Sequence, residues 1–312
     1  MKSPRYLFLE IAGLILFLLL VTGFLEWKYA SYQTQADILM ENFQKKKTNA
    51  EILWLGNSHT IPLIAQLDSL NAKPGSVSFA YGGMDLFWST VLLEKYMDQI
   101  PGLKTICIGA DEELLGYNQT RFKLEYINRA LYRYTDTLDD DSPFNRLLAR
   151  SNFFRTNRDI SYLVNQRNQP SDLKPMLHGF FTPGSMDQQC RERAKENTLT
   201  RFSTELIPEN IALLKQIIEK AKAAGKNVIL FSTPKSSCYL HYRDSTSIGV
   251  SKNAFREFIS QHPVVFLNGN TNPYPDSLFR DPDHLNLMGA TVFLDNLNLF
   301  VREKTGMGLF RE

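Results

Sequence analysis

The stretch "ILWLGNSHT", residues 52–60, runs from apolar residues into a small polar cluster with a hydroxyl at its centre. Ile52 to Leu55 read as a buried strand, and Gly56-Asn57-Ser58 supply turn chemistry. Ser58 then has two readings. It is an ordinary turn or helix-cap residue, or its Oγ projects from a tight strand-to-helix turn into the crevice above a sheet. In the second case, backbone N–H groups at the helix start face a developing oxyanion. The G-x-S-x-G pattern of a nucleophile elbow is not met, because Thr60 stands at the second glycine position.

Working outward, residues 51–55 are one of five short apolar runs bounded by Gly, Pro or polar clusters; the others are 77–80, 105–108, 227–232 and 264–267. Helical patterns lie between and after them at 85–99, 208–224, 253–261 and 286–304. The segment 208–224 is the clearest, with Pro208 in its first turn and Gly225 just past its end. Strands alternating with helices predict an α/β fold: a mainly parallel five-stranded sheet covered on both faces, in three layers. In such sheets ligands bind at the carboxyl ends of the strands. Residues 112–201 break the alternation; rich in Tyr, Phe, Arg and Asn, with loops at 136–143 and 165–175, they read as a helical insertion able to cover a site.

The N-terminus sets the chain's setting. Residues 6–25 are apolar apart from Glu10, and about twenty residues suffice to cross a bilayer core. Lys2 and Arg5 precede them, favouring a cytoplasmic N-terminus, and Trp27, Tyr29 and Tyr32 follow as an interfacial aromatic belt. A cleaved signal peptide is the competing reading, but no small-residue cleavage site is evident before "FLEWKY". Either way, the rest of the chain is expected outside the cytoplasmic membrane. The expected organisation is a tail and transmembrane anchor at 1–30, a linker at 31–50, and an α/β domain at 51–312 with its insertion at about 112–201. A formal net charge of +2 and no long basic block imply no nucleic-acid surface. Of the three cysteines, Cys107 reads as a buried small hydrophobe, and a Cys190–Cys238 disulfide is left open.

A second piece of chemistry is "FRDPDHLNLMGA", residues 279–290. A serine nucleophile needs a base within hydrogen-bond reach, and the base needs an orienting carboxylate. Asp281 and His284, three apart on a turn before the last helix, have the spacing for that pair; the plain alternative is a loop histidine with Asp283 or Asn286 capping the helix.

Together, Gly-x-Ser after the first strand and Asp-x-x-His before the last helix resemble the SGNH (GDSL-like) hydrolase superfamily, over residues 50–304. The resemblance implies a flavodoxin-like three-layer fold, Ser58 as nucleophile, His284 as general base and Asp281 as its partner. It implies an oxyanion hole formed by the N–H groups of Ser58 and Gly83, the latter in "VSFAYGGMD". The family's third block carries an Asn donor; this chain has "IGADEE", with Asp111 in that place, and an ionised carboxylate there opposes an oxyanion. No metal or cofactor is called for. The anchor, the Gly-Asn-Ser-His block and the insertion are most similar to the family's extracytoplasmic branch, which includes polysaccharide O-acetyltransferases and esterases and proteins of teichoic-acid D-alanyl transfer. That branch implies an acylated polysaccharide or other ester as substrate, the membrane as a partner through the N-terminal helix, and a membrane-bound acyltransferase as a candidate partner. The rival reading is a non-catalytic scaffold of the same fold, motivated by Asp111. His59, His178, His241 and His262 read as turn, surface or loop residues, and Asp139-Asp140-Asp141 as a solvated loop. The aromatics of the insertion (Tyr126, Tyr132, Tyr134, Phe153, Phe154) have two readings, packing of the insertion onto the domain, which is preferred, or stacking on sugar rings as in a carbohydrate-binding module.

Overall fold

A computed structural model describes residues 4–119, 121–122, 125–156 and 186–310. Lys2, His178, the expected loop at 165–175 and the side chain of Tyr126 lie outside what is described. In chain order the main elements are α1 (Pro4–Tyr29), α2 (Gln35–Lys46), β1 (Ala50–Leu55), α3 (Ile61–Ser69), β2 (Gly75–Ser78), α4 (Leu86–Tyr96), β3 (Thr105–Gly109), α5 (Glu125–Thr135) and α6 (Pro143–Arg150). There follow α7 (Met186–Lys195), α8 (Ile207–Ala223), β4 (Asn227–Ser232), α9 (Ser237–Tyr242), α10 (Ser245–Gln261), β5 (Val265–Asn268), the short strands β6 (Phe279–Asp281) and β7 (His284–Leu285), and α11 (Leu287–Thr305). The chain divides into two units, Met1–Ile38 with Glu125–Pro170, and Leu39–Leu124 with Ser171–Glu312. The expected insertion is therefore split: α5 and α6 group with the N-terminal helix, whereas α7 groups with the sheet.

In the larger unit β1 to β5 form one all-parallel sheet in the order β2-β1-β3-β4-β5, the flavodoxin-like arrangement, and β6 and β7 pair separately as an antiparallel hairpin. Successive side chains point to opposite faces, so both sets must be apolar in a sheet covered twice. Ile52, Trp54, Cys107, Ile229 and Phe231 meet Leu63 and Leu67 of α3 and Phe293, Leu294, Leu297 and Val301 of α11 in one core. The alternating set, Leu53, Leu55, Ile106, Ile108 and Leu230, is equally buried, and the helices α4 and α8 pack together with α8 against β4.

Local chemistry explains the element ends. Asp85 caps α4 by accepting the Trp88 N–H at 3.0 Å, and Asn286 caps α11 by accepting the Gly289 N–H at 2.9 Å. Helix α10 begins eight residues before the expected 253, because Asp244 caps it through the Ser247 N–H at 2.7 Å. The hairpin β6–β7 was not expected; its strands are too short to show a period. Gly289 lets α11 approach that hairpin, since a Cβ there would lie 2.1 Å from the Leu278 carbonyl oxygen.

In the smaller unit, α1 contains a 22-residue span, Phe8–Tyr29, long and apolar enough to cross a membrane. The linker region is helical in α2, started by a reciprocal cap in which Asp37 accepts the Thr34 N–H (2.7 Å) and donates its own N–H to Thr34 Oγ1 (3.2 Å). Arg155 Nη1 donates to Asp37 at 2.9 Å, and the Tyr134 hydroxyl donates to the same carboxylate. Burial pushes the Asp37 carboxyl upward, but these donors together hold it below its ordinary value. Tyr134 and Arg155 are thus structural ties within this unit.

Candidate active site

The first strand delivers Ser58. After Leu55 the chain turns at Gly56, whose φ of +153° is strained for other residues, and where a Cβ would lie 2.2 Å from Thr60 Oγ1. Asn57 closes the turn: its carbonyl accepts the Thr60 N–H (3.0 Å) and its side-chain oxygen accepts the His59 N–H (3.0 Å). Ser58 sits on this turn, just before α3.

The hairpin β6–β7 delivers the other half. Asp281 and His284 are a cross-strand pair joined by only Pro282 and Asp283. Asp281 Oδ1 accepts the backbone N–H groups of His284 (3.0 Å) and Asp283 (3.3 Å), which fixes the carboxylate within its own turn. The same oxygen lies 2.8 Å from His284 Nδ1. On the opposite side of the ring, Nε2 lies 2.8 Å from Ser58 Oγ, across 226 residues of sequence. Serine, histidine and aspartate are therefore in line.

The structure adds residues that sequence spacing did not show. Asp283, weighed above only as a helix cap, is buried in the site: it lies 3.2 Å from His284 Nδ1 and 3.2 Å from His59 Nε2. His59, read above as a turn residue, packs its ring 4.6 Å from that of His284. From α7 and the turn after it, Arg193 Nε donates to Asp283 at 3.0 Å and Asn197 Nδ2 donates at 2.9 Å. No local signal marks Arg193 or Asn197, which lie some ninety residues before Asp283. A disulfide, Cys190–Cys238, ties α7 to α9. The residue that caps α9, Ser236, donates both its Oγ (2.8 Å) and its N–H (3.1 Å) to the Pro282 carbonyl. The turn carrying Asp281 and His284 is thus held from behind.

Electrostatics follow from these contacts. Burial alone pushes His284 toward the neutral form, but the carboxylates of Asp283 and Asp281 outweigh it and lift the imidazole to about 9. Burial likewise opposes ionisation of Asp283, yet His284, His59 and Arg193 hold it well below the ordinary carboxylate range. Asp281 is also lowered, mainly by His284 against the cost of burial. His59 moves the other way, because burial and the neighbouring His284 both disfavour its charged form.

The oxyanion candidates fall into two groups. The N–H groups of Ser58 and Gly83 donate no hydrogen bond to any described residue. Gly83 has a φ of +74°, and its carbonyl accepts the Tyr117 hydroxyl at 3.2 Å. Asp111 is occupied elsewhere. Its Oδ1 accepts the N–H groups of Glu113 (3.1 Å) and Leu114 (3.0 Å), and its Oδ2 lies 2.8 Å from Lys235 Nζ. Lys235 also meets Glu113 at 2.6 Å. Burial opposes the Asp111 charge, but Lys235 and His59 overcome it and bring the carboxyl down to about 2.

His59, Asp283 and His284 offer ligand atoms within 4.8 Å of one another, a spacing a metal ion can use. Here Asp283 already takes Arg193 and Asn197, and His284 Nε2 takes Ser58, so the donors are engaged by the protein itself. A cleft of about 630 Å³ lies at the other edge of the sheet, lined by Glu51, Thr105 and Asn227 at the amino ends of their strands, and contains none of these residues.

No protein-family model matches the chain, and no curated protein matches it. Solved structures similar to it include an acylhydrolase from Bacteroides fragilis, described as putative, at 12% identity over 88% of this chain and 99% of that one, with a TM-score of 0.44. A GDSL-like lipase from Bacteroides thetaiotaomicron is 11% identical over 88% and 98% of the two chains, with a TM-score of 0.43. An acetylxylan esterase from Geobacillus stearothermophilus is 11% identical over 85% and 98%, with a TM-score of 0.38.

Proposed function

We propose that the chain is a serine-dependent acyl-ester hydrolase or O-acyltransferase of the SGNH type, acting on an acylated polysaccharide of the cell envelope or outside the cell. The observation that supports this most is the hydrogen-bonded line Ser58–His284–Asp281, with separations of 2.8 Å and 2.8 Å.

In this reading Ser58 Oγ attacks the acyl carbonyl carbon while His284 Nε2 takes its proton. Asp281 keeps the remaining ring proton on Nδ1 and stabilises the imidazolium as it forms. The N–H groups of Ser58 and Gly83 receive the oxyanion of the tetrahedral intermediate. His284 then returns its proton to the departing sugar oxygen, leaving an acyl-serine that water or a second sugar hydroxyl resolves. Asp111, paired with Lys235, contributes no donor. Helix α1 anchors the chain, and Arg5, in its first turn before the apolar span Phe8–Tyr29, favours a catalytic domain beyond the membrane. The Cys190–Cys238 disulfide supports the same placement, since such bonds persist in oxidising compartments.

The test is turnover of an acetyl ester by the full chain in detergent, first a chromogenic acetate and then an acetylated polysaccharide. The wild type releases acetate and Ser58→Ala does not. Equal background rates for both would remove the enzymatic reading and leave a non-catalytic partner of the same fold.

A further inference from the structure

Helix α6 carries its apolar side chains on the wrong face for a soluble helix. In Pro143–Arg150, Phe144 and Leu147 are one turn apart and 67% and 66% exposed, whereas the buried position is the small Ala149. A pair of large apolar side chains side by side on a helix surface marks a contact with something apolar. The flanking charge has one sign to spare. Arg146 is paired with Asp141, but Arg150, exposed at the end of the helix, makes no ion pair among the described residues.

What covers this face is indicated by the residues that follow it. Ser151 donates its hydroxyl to the Glu26 carboxylate, and the Asn152 N–H donates to the same group at 2.7 Å. Phe153 packs edge-on against Tyr29 at 5.1 Å. Glu26 is the first charged residue after the apolar run of α1, and Trp27 follows it, so this is the point where a spanning helix leaves the hydrocarbon. Eight helical residues extend about 12 Å. The C-terminal end of α6 therefore starts from that level, and no part of the helix lies more than about 12 Å along its axis from it.

We propose that α6 is a second membrane contact: Phe144 and Leu147 insert at the headgroup–acyl boundary, and Arg150 meets lipid phosphate. This rests on the reading of α1 as an anchor, and it goes further by holding α5 and α6 against the surface as well as α1.

The test uses the full chain reconstituted in phosphatidylcholine–phosphatidylglycerol vesicles whose acyl chains are brominated near the headgroup. Trp54 and Trp88 are fully buried in protein and give a constant background, so the lipid-quenched part of the wild-type emission reports Trp27 at the anchor, and Phe144→Trp adds a reporter on α6. The expected result is that the added emission is quenched by brominated lipid about as strongly as that of Trp27, and is shielded from aqueous acrylamide. Quenching of Trp27 with the added emission open to acrylamide would overturn the α6 contact and leave the anchor standing. Protection from both quenchers would place α6 against protein and also overturn it. Absence of lipid quenching at Trp27 would remove the anchor, and this proposal with it. As a second variant, Leu147→Asp in the Phe144→Trp background should abolish the lipid quenching of the added reporter while that of Trp27 persists.

Discussion

At the turn Asp281–His284, two carboxylates converge on an imidazole whose far nitrogen meets Ser58. At Asp111–Glu113, two carboxylates converge on the ammonium of Lys235. The two regions are joined: Asn197 Nδ2 bonds Asp283 and also lies 3.2 Å from the Tyr239 hydroxyl, which donates to Glu113 at 2.9 Å. Their chemistry differs because of the base at the centre. Histidine exchanges a proton within a few units of neutrality, so carboxylates around it tune a transfer step. Lysine beside two carboxylates is raised above its already high ordinary value, holds its proton, and makes a closed ion cluster. In the proposed reading the first region reacts and the second supports it.

That contrast is most exposed to removal of the reacting groups. Ser58→Ala or His284→Ala should lower kcat/KM for an acetyl ester by about 10⁴-fold or more; Ser58→Ala should also keep thermal unfolding close to that of wild type, whereas His284→Ala leaves the buried Asp283 without its imidazole and should melt lower. The steady-state rates and a melting curve check both halves of the statement.

The reverse pattern is expected on the other side. Lys235→Met leaves Asp111 buried without its cation and Glu113 with only the Arg243 cation, at 3.5 Å, and should cost about 3–5 kcal/mol of stability in chemical denaturation. Whatever fraction remains folded should keep its Ser58–His284 contact, and so most of its turnover per folded molecule. A variant that stays stable but loses turnover would put Lys235 on the reacting side of the comparison.

The brace behind the Asp281–His284 turn gives a smaller effect. Replacing Cys190 and Cys238 by Ser removes a cross-link spanning 48 residues, with an expected loss of about 2–4 kcal/mol. Helix α7 then holds Arg193 and Asn197 less firmly on Asp283. Denaturation with and without reductant measures the first effect, and the activity of the folded fraction measures the second.

The finest distinction is between the two aspartates beside His284. The wild-type rate should climb with pH toward about 9, because the imidazole must be unprotonated to take the Ser58 proton. Asp283→Asn removes a charge that raises His284, so the rising limb should move to lower pH by about one unit. Stability has its own window. The raised His284 contributes below 6.5 and is lost as pH climbs through about 9; the lowered Asp111 contributes above 3.8 and is lost as pH falls through about 2. Melting temperatures across pH 2–10 trace both limbs.

What the sequence revealed follows the same division between local and distant chemistry. Asn227–Ser232 is legible as a strand because its middle four residues, Val228 to Phe231, are all apolar, and the start of α4 is legible because Asp85 sits where a cap belongs. The parallel sheet follows from the alternation of such elements. Ser58, Asp281 and His284 lie in short blocks with characteristic neighbours, and the structure brings the three together. His59 and Asp283 lie within those blocks, yet nothing in their spacing shows that the ring and the carboxylate face each other. Arg193, Asn197 and Lys235 are further still, since each acts through a contact that exists only after the chain has folded. Asp111 was visible as a departure from the family pattern, but its answer, Lys235, lies 124 residues away.

The central claim is that Ser58 is a nucleophile primed by His284. Incubation of the full chain with a fluorophosphonate, followed by peptide mass spectrometry, tests it most directly. The account predicts one adduct per chain, on the peptide containing Ser58, absent in Ser58→Ala and strongly slowed in His284→Ala. An unmodified Ser58 in a folded wild-type protein, or equal labelling of the wild type and Ser58→Ala, would contradict it.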